Sequence, residues 1–177
     1  MELQTLDAAG WRVWRALRLR ALTEDPDAFG SRLASWTGDG DREDRWRATF
    51  AIPGSVHLVA RVHGEPCGMV RGIWADHVDA IELVSLWVAP DVRGRGVATA
   101  LIDAIEQWAA ERAGVLLLSV APANVRAIRL YESLGFAASR WTGDLLPDGV
   151  TREIVMAKSL GDASARPPRR GRRRDGE

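Results

Sequence analysis

Cysteine and histidine are scarce in this chain of 177 residues, and their scarcity excludes several kinds of protein. Cys67 is the single cysteine, so the chain forms no internal disulfide and holds no cysteine metal cluster. His57, His63 and His77 lack the spacing of metal ligands, so we expect no metal site. A domain of this length buries roughly 70% of its unfolded surface and needs neither kind of support.

Long apolar runs are missing as well. No run reaches the roughly 18 residues that a membrane-spanning helix needs. Residues 1–11 lack the basic and apolar regions of a signal peptide. These absences predict a cytoplasmic protein that does not enter a membrane. Hydrophobic residues make up 46% of the chain and charged residues 27%, which is typical of one globular domain.

The net charge of the whole chain is zero, because 24 basic residues balance 24 acidic ones, but the charge is unevenly distributed. Residues 161–177 carry six arginines against three acids, so residues 1–160 are slightly acidic. We expect residues 1–160 to form a single domain and the Pro/Gly/Arg-rich residues 161–177 to be a disordered tail. The tail could contact RNA phosphates, but it lacks aromatic residues for base stacking, so a nucleic-acid partner is not expected.

Hydrophobic spacing predicts an α/β fold. Strands are predicted at 3–6, 56–62, 67–74, 80–88, 115–120, 137–141 and 151–157, where apolar and β-branched residues cluster. Helices are predicted at 11–22, 41–50, 97–112 and 124–134, with residues 23–40 irregular. A meander of three strands followed by a strand-helix-strand unit indicates a mixed sheet with helices on both faces.

The segment after the strand over 80–88 has the features of an anion site. The strand leads through a glycine-containing loop into an amphipathic helix, whose first N–H groups lack partners and carry the positive end of the dipole. Gly94 and Gly96 let a phosphate approach the backbone closely. Arg93 and Arg95 add positive charge. The segment therefore predicts binding of a pyrophosphate.

Three kinds of phosphate loop compete for this segment. The Walker loop requires a Gly-Lys-Ser/Thr ending, which is absent, and the dinucleotide fingerprint requires glycine where Thr99 stands. The third pattern, Arg/Gln-x-x-Gly-x-Gly/Ala, matches Arg93 to Ala98. A second segment, Asn124 to Phe136, reads N-x-x-A-x-x-x-Y-x-x-x-G-F. Together the two segments resemble the GCN5-related N-acetyltransferase (GNAT) superfamily, whose members bind acetyl-coenzyme A.

The resemblance implies a fold and a cofactor site. The fold would be a mixed, mostly antiparallel sheet of six to seven strands, in which the central strands ending at Val88 and Val120 splay apart around acetyl-CoA. The loop would hold the pyrophosphate, and Asn124, which is otherwise a plain helix N-cap, would contact the pantetheine arm. The expected cofactor-binding residues are Val88, Arg93, Gly94, Arg95, Gly96, Val97, Ala98, Thr99 and Asn124.

The resemblance also implies direct attack of an amine on the thioester, without an acyl-enzyme on Cys67. Tyr131, the single tyrosine, would protonate the leaving thiolate; the alternative is an aromatic side chain that packs a helix on the sheet. Glu82 would be the general base, because burial in an apolar strand raises its pKa; the alternative is a solvated carboxylate at the strand edge. Ser85 is a weaker candidate that could hold a water molecule.

Strand alternation predicts that Glu82 shares one face with the even-numbered residues through Val88. Ribosomal-protein and N-terminal acetyltransferases of the superfamily often carry a glutamate at the position of Ser119. The absence of that glutamate here argues against a protein N-terminus as the acceptor. Aromatic side chains of the first two helices and neighbouring loops would shape an acceptor pocket or pack the helices: Trp11, Trp14, Phe29, Trp36, Trp46 and Trp141. Loop carboxylates could attract a cationic amine: Asp25, Asp27, Asp144 and Asp148.

These expectations define an acetyl-CoA-dependent N-acetyltransferase that acts on a primary amine of a small molecule. Two alternatives remain open at this point: a non-catalytic acyl-CoA-binding module, and an acetyltransferase of a protein or peptide amine. Tyr131 and Glu82 discriminate the first alternative from the enzyme, since binding alone needs only residues 93–98. A homodimer is a family expectation only, because the sequence itself carries no indication of oligomeric state.

Overall fold

The computed structural model describes residues 1–76 and 78–161. His77 and nearly all of the predicted tail, residues 162–177, lie outside these ranges. The disordered tail and the single domain over residues 1–160 therefore stay predictions.

Within the described ranges the chain forms seven strands and four helices. The strands are β1 (Glu2–Leu6), β2 (Val56–Val62), β3 (Glu65–Trp74), β4 (Ile81–Val88), β5 (Val115–Val120), β6 (Ala137–Leu145) and β7 (Arg152–Ser159). The helices are α1 (Trp11–Glu24), α2 (Glu43–Ala48), α3 (Val97–Ala110) and α4 (Val125–Ser133). Residues 26–40 form short 3₁₀ turns, which agrees with the predicted irregular segment.

Helix α2 is shorter than the predicted 41–50. Asp41 lies outside it because its carboxylate accepts a hydrogen bond from the Trp46 indole at 2.8 Å and pairs with Arg15 of α1. Trp46 is fully buried, so this contact fixes α2 against α1. The sequence pattern overestimated the helix because Asp41 bonds to side chains instead of continuing the helical backbone.

The sheet order is β1-β2-β3-β4-β5-β7-β6, and every pair of neighbours is antiparallel except β4 with β5. This confirms the predicted mixed, mostly antiparallel sheet. The parallel pairing of β4 with β5 covers only Ile81–Leu83 opposite Leu116–Leu118. Beyond Leu83 the two strands separate, and the edge of β4 that faces β5 is left without a strand partner there.

Helices α1 and α3 pack on opposite faces of the sheet. A Cβ at Gly72 would lie 2.9 Å from the Trp108 ring of α3, so that face of β3 accepts α3 only because glycine has no side chain. On the other face the Trp14 ring of α1 lies 4.6 Å from the imidazole of His57. The site described below lies on the α1 face, where β4 and β5 separate.

A bulge in β4 reverses the alternation of its side chains. Met69 pairs with Trp87 but Arg71 pairs with Val84, so three steps on β4 oppose two on β3. Ser85, at φ +59°, lies inside this irregularity. Val88 consequently pairs with Gly68 on the α3 face. The predicted shared face of Glu82 and Val88 is therefore wrong, because strict alternation does not survive an inserted residue.

Candidate active site

Two cavities meet at the point where β4 and β5 separate. The first, here called the loop groove, has a volume of about 420 Å³ and lies between the 93–99 loop and α4. The second, here called the inner cavity, has a volume of about 520 Å³ and lies between α1, the splayed strands and the β6–β7 hairpin. Both are lined by Ala28, Phe29, Leu86, Asn124 and Tyr131.

The loop groove has the backbone geometry that a pyrophosphate requires. Gly94 and Gly96 both have φ +79°, a left-handed conformation that other residues adopt only with strain. A Cβ at either position would meet nothing within 4 Å, so the space beside the backbone is open. Val97 begins α3 directly after Gly96, and its first N–H groups are available to an anion. The loop therefore fits the phosphates of coenzyme A.

Arg93 does not contribute a free charge to the groove. Its Nε donates to the carbonyl of Val88 at 2.8 Å, and its guanidinium pairs with Asp25. Asp25 also accepts a hydrogen bond from the Trp87 indole at 2.7 Å. Arg93 therefore ties the loop to the end of α1. Arg95, which was also expected to bind the cofactor, is exposed and is not among the residues that line the groove. Asp25 was expected among the carboxylates that attract an amine, but Arg93 already neutralises it.

The other predicted cofactor residues lie on the same groove. Val88, Val97, Ala98 and Thr99 line it from the loop side, and Asn124 lines it from the start of α4. The Asn124 side chain accepts a hydrogen bond from the Ala127 N–H at 3.2 Å, which is the predicted N-cap. Arg126 also lines the groove, and the sequence motif gave no indication of it because that position varies.

Tyr131 lies at the junction of the two cavities. Its side chain is 8% exposed and packs edge-on against Phe136, with 6.1 Å between ring centroids. Burial raises the pKa of Tyr131 to about 12. The phenol therefore remains protonated at neutral pH and is available as a proton donor. The packing of Tyr131 is observed, and its role as the proton donor stays a prediction.

Glu82 lies on the wall of the inner cavity, among other carboxylates. Burial raises the pKa of Glu82, and the nearby charges of Glu153, Asp144 and Asp76 raise it further. The hydroxyl of Ser119 donates a hydrogen bond to Glu82 and opposes this rise. Glu82 is thus a half-buried carboxylate with increased basicity, and the alternative of an exposed strand-edge acid does not describe it.

Two arginines of the inner cavity, one buried and one half-buried, were missed by the sequence analysis. Arg18 of α1 is 7% exposed, and Arg71 of β3 lies on the same cavity wall. Arg18 continues the buried stripe of Trp11 and Trp14 at helical spacing. That spacing was the available indication for Arg18, whereas nothing in the sequence distinguished Arg71.

Cys67 lies away from both cavities. It is 5% exposed, its Sγ is 3.5 Å from the carbonyl oxygen of Ala60, and burial raises the pKa of its thiol. Over residues 1–76 and 78–161 no cluster of three or more His, Cys, Asp or Glu side chains could hold a metal ion. In the same ranges no helix has the length and hydropathy to cross a membrane.

Comparison with known proteins agrees with this geometry. A family model described as the acetyltransferase (GNAT) family matches residues 19–136. The mycothiol acetyltransferase of Acidothermus cellulolyticus is 31% identical over 147 residues, which cover 75% of this chain and 42% of that protein. The chain spans between 29% and 44% of the length of the curated relatives that it matches.

Solved structures share the fold. A structure from Salmonella typhimurium that holds the cofactor acetyl-CoA superposes with a TM-score of 0.73 at 20% identity, covering 96% of this chain and 98% of that one. A nourseothricin acetyltransferase is 28% identical, with a TM-score of 0.56, over 62% of this chain and 67% of that one.

Proposed function

Because the chain belongs to the GNAT acetyltransferase family, we propose that it transfers an acetyl group from acetyl-CoA directly to a primary amine of a small molecule. The observation that carries the proposal is the junction of the two cavities. One cavity fits the cofactor, the other carries a basic carboxylate, and a protonated phenol lies where they meet.

The loop groove would hold acetyl-CoA, which supplies the acetyl group as a thioester. The backbone at Gly94, Gly96 and the start of α3 would bind the pyrophosphate, together with Arg95. The edge of β4 beyond Leu83 lacks a strand partner toward β5, so its backbone groups would pair with the pantetheine arm. Asn124 and Tyr131 would border the thioester end of the groove.

The inner cavity would bind the acceptor and prepare its amine. An amine attacks only when it has lost its proton, and Glu82 would accept that proton directly or through a water molecule. The raised pKa of Glu82 brings its basicity closer to that of the amine. Tyr131 would donate its proton to the sulfur as the thioester C–S bond breaks and negative charge develops on the leaving thiolate. Catalysis needs a proton acceptor at Glu82 and a proton donor at Tyr131, whereas a module that only binds acyl-CoA needs neither.

A small molecule is favoured over a protein amine by the shape and charge of the acceptor side. Residues of α1 and of the 26–36 turns line one side of the inner cavity, whose volume is about 520 Å³. Ser119 occupies the position where protein-directed members of the superfamily often carry glutamate. The matched relatives named for mycothiol and nourseothricin support the same class of acceptor.

The experiment is to measure thiol release from acetyl-CoA with a panel of amines and peptides, for the wild type and Tyr131→Phe. We expect turnover with small amines, and a loss of about 10²-fold in kcat for Tyr131→Phe because a proton donor is removed. Calorimetry with coenzyme A should give nearly unchanged affinity. Absence of turnover across the panel would support the binding module instead. Full kcat for Tyr131→Phe would contradict the role of Tyr131 as the proton donor.

A further inference from the structure

Arg18, which is buried, and Arg71, which is half-buried, are two arginines of the inner cavity without a direct ion-pair partner, although the more distant charge of Glu82 acts on Arg71. Neither arginine makes an ion pair with any residue in the described ranges. Nη1 of Arg18 and Nε of Arg71 are buried donors without a hydrogen-bond partner there. Both side chains line the inner cavity. The cavity wall therefore presents two cationic donors that the protein itself leaves unsatisfied.

This arrangement is costly to the folded protein. Burial, and to a smaller extent the charge of Arg71, lowers the pKa of Arg18 to about 10. A buried charge without a partner costs several kcal/mol as an order of magnitude. Arg18 is nonetheless held in place, with its guanidinium 4.4 Å from the centroid of the Phe29 ring. An anion bound between the two arginines would satisfy the free donors and remove the repulsion.

The same cavity also carries the reverse charge. Glu82, Asp144 and Glu153 all line it. After the larger effect of burial, the charges of Glu153 and Asp144 raise the pKa of Glu82, and the charge of Asp144 raises the pKa of Glu153. A cationic amine would relieve that repulsion. Arg71 pairs with Val84 across the strands, and Glu82 is the next residue of β4 on that face. Such diagonal neighbours are about 7–8 Å apart, so both charges are within reach of one compact molecule.

We propose that the acceptor is an amino acid or a similar amino-carboxylate, whose carboxylate binds Arg18 and Arg71 while its amine faces Glu82 and Tyr131. The proposal rests on the acetyltransferase function proposed above and specifies its substrate class. The planar guanidinium fork suits a carboxylate better than a lysine would. The remaining wall of the cavity is aromatic and would receive an apolar side chain of the substrate: Trp14, Phe29, Trp36 and Trp46.

The test compares amino acids with their carboxamides, which keep the amine and side chain but lose the anionic group. The panel contains aliphatic, aromatic, sulfur-containing, acidic and basic amino acids, each with its amide. Acetyl transfer is followed by thiol release, and binding by the thermal shift that each compound produces in the presence of coenzyme A. We expect at least one amino acid to exceed its amide by 10²-fold or more in kcat/KM, since hydrogen bonds to charged groups contribute about 1.5–3 kcal/mol each.

The variants are Arg18→Met, Arg71→Met and Arg71→Lys, with Arg12→Met as the control. Arg12 is an exposed arginine on the same helix, so its variant should keep the preference for the carboxylate. Arg18→Met and Arg71→Met should reduce the amino acid/amide ratio to below about 5-fold. Arg71→Lys retains the positive charge but loses the planar guanidinium, so it should keep a partial preference for the amino acid over its amide. A partial preference would show that the larger loss in Arg71→Met does not come from unfolding. Arg18→Met should not lower the Tm of the free protein, because it removes an unpaired buried charge.

The outcomes separate this proposal from the function on which it rests. Amides or simple amines that are acetylated as well as amino acids would overturn the proposed substrate class and leave the acetyltransferase intact. Amino acids that shift Tm in an arginine-dependent way without acetyl transfer would support the amino-carboxylate site and contradict the enzyme. If no amino acid binds or reacts at millimolar concentration, the two arginines do not form an acceptor site.

Discussion

Glu82 carries a prediction at the scale of a single residue, because its environment fixes how activity should depend on pH. Burial and the charges of Glu153 and Asp144 raise the pKa of Glu82, so it takes up a proton at a higher pH than an ordinary glutamate. As pH falls through this pKa the base is lost, and kcat/KM should fall. Glu82→Gln should reduce kcat/KM by about 10²-fold or more and remove this acidic limb.

Two further variants sharpen the measurement. Glu153→Gln removes a neighbouring negative charge, so the acidic limb of the kcat/KM profile should move to lower pH. Glu132→Gln, at an exposed position of α4, should leave the profile in place. An unchanged limb in Glu82→Gln would assign the titration to another group, such as the amine of the substrate.

At the same scale, the residues found from the sequence differ physically from those that were missed. Asn124 and Tyr131 belong to one local pattern on one helix, so their spacing along the chain is enough to relate them. Arg18 and Arg71 meet only when α1 packs on β3, and their burial depends on that tertiary contact. Because arginine is rarely buried without a partner, the sequence offered no reason to expect an arginine at either position in the cavity.

The turn into α3 gives the prediction at the scale of an element. Alanine at Gly96 must adopt φ near +79°, which costs roughly 1–2 kcal/mol, and its methyl group would occupy the space beside the groove. We expect Gly96→Ala to weaken coenzyme A binding by at least 10-fold, as measured by calorimetry, because phosphate can no longer approach the backbone.

Gly64 provides the matched control for this element. It has φ +83° in the β2–β3 turn, also with open space around it, but it lies outside both cavities. Gly64→Ala should lose a similar amount of stability in denaturant unfolding and keep its affinity for coenzyme A. Equal losses of affinity in the two variants would show that strain, and not obstruction of the groove, weakens binding.

Elements were predicted well where a single period governs them, as in α3 and β2. The bulge at Ser85 was missed because a strict two-residue alternation of side chains assumes that no residue is inserted into the strand. This local irregularity has a functional consequence, since it moves Val88 to the α3 face while Glu82 stays on the face of the inner cavity. The loop of 93–99 could be located from glycine spacing, but the pairing of Arg93 with Asp25 joins segments that are distant in the chain.

At the scale of the whole molecule, His57 couples the stability of the fold to pH. Its imidazole is 2% exposed and stacks on Phe50, with 4.0 Å between centroids, next to the Trp14 ring of α1. Burial, and then the charge of Arg71, lowers the pKa of His57 to about 3. Its Nε2 is buried without a partner in the described ranges. The folded protein therefore holds this histidine neutral.

The sign of the effect follows from proton uptake. Between pH 6.5 and about 3 the unfolded chain binds a proton at His57 that the folded chain excludes. The free energy of unfolding should therefore decrease as pH falls below 6.5, with this residue contributing at most about 1.4 kcal/mol per pH unit. Glu82 and Glu153 oppose this trend, because their raised pKa values favour proton uptake by the folded state.

The contribution of His57 is isolated by comparing variants over one pH range. His57→Phe preserves a ring between Trp14 and Phe50 but cannot titrate, whereas His63→Asn removes an exposed histidine from a turn where asparagine tolerates the positive φ. Urea unfolding from pH 7.5 to 4.5 should show parallel losses of stability for wild type and His63→Asn. The loss for His57→Phe should be shallower, and the gap should widen steadily below pH 6.5. A His57→Phe curve that runs parallel to wild type would mean that the imidazole is protonated inside the fold, and that Arg71 tolerates a second buried cation beside it.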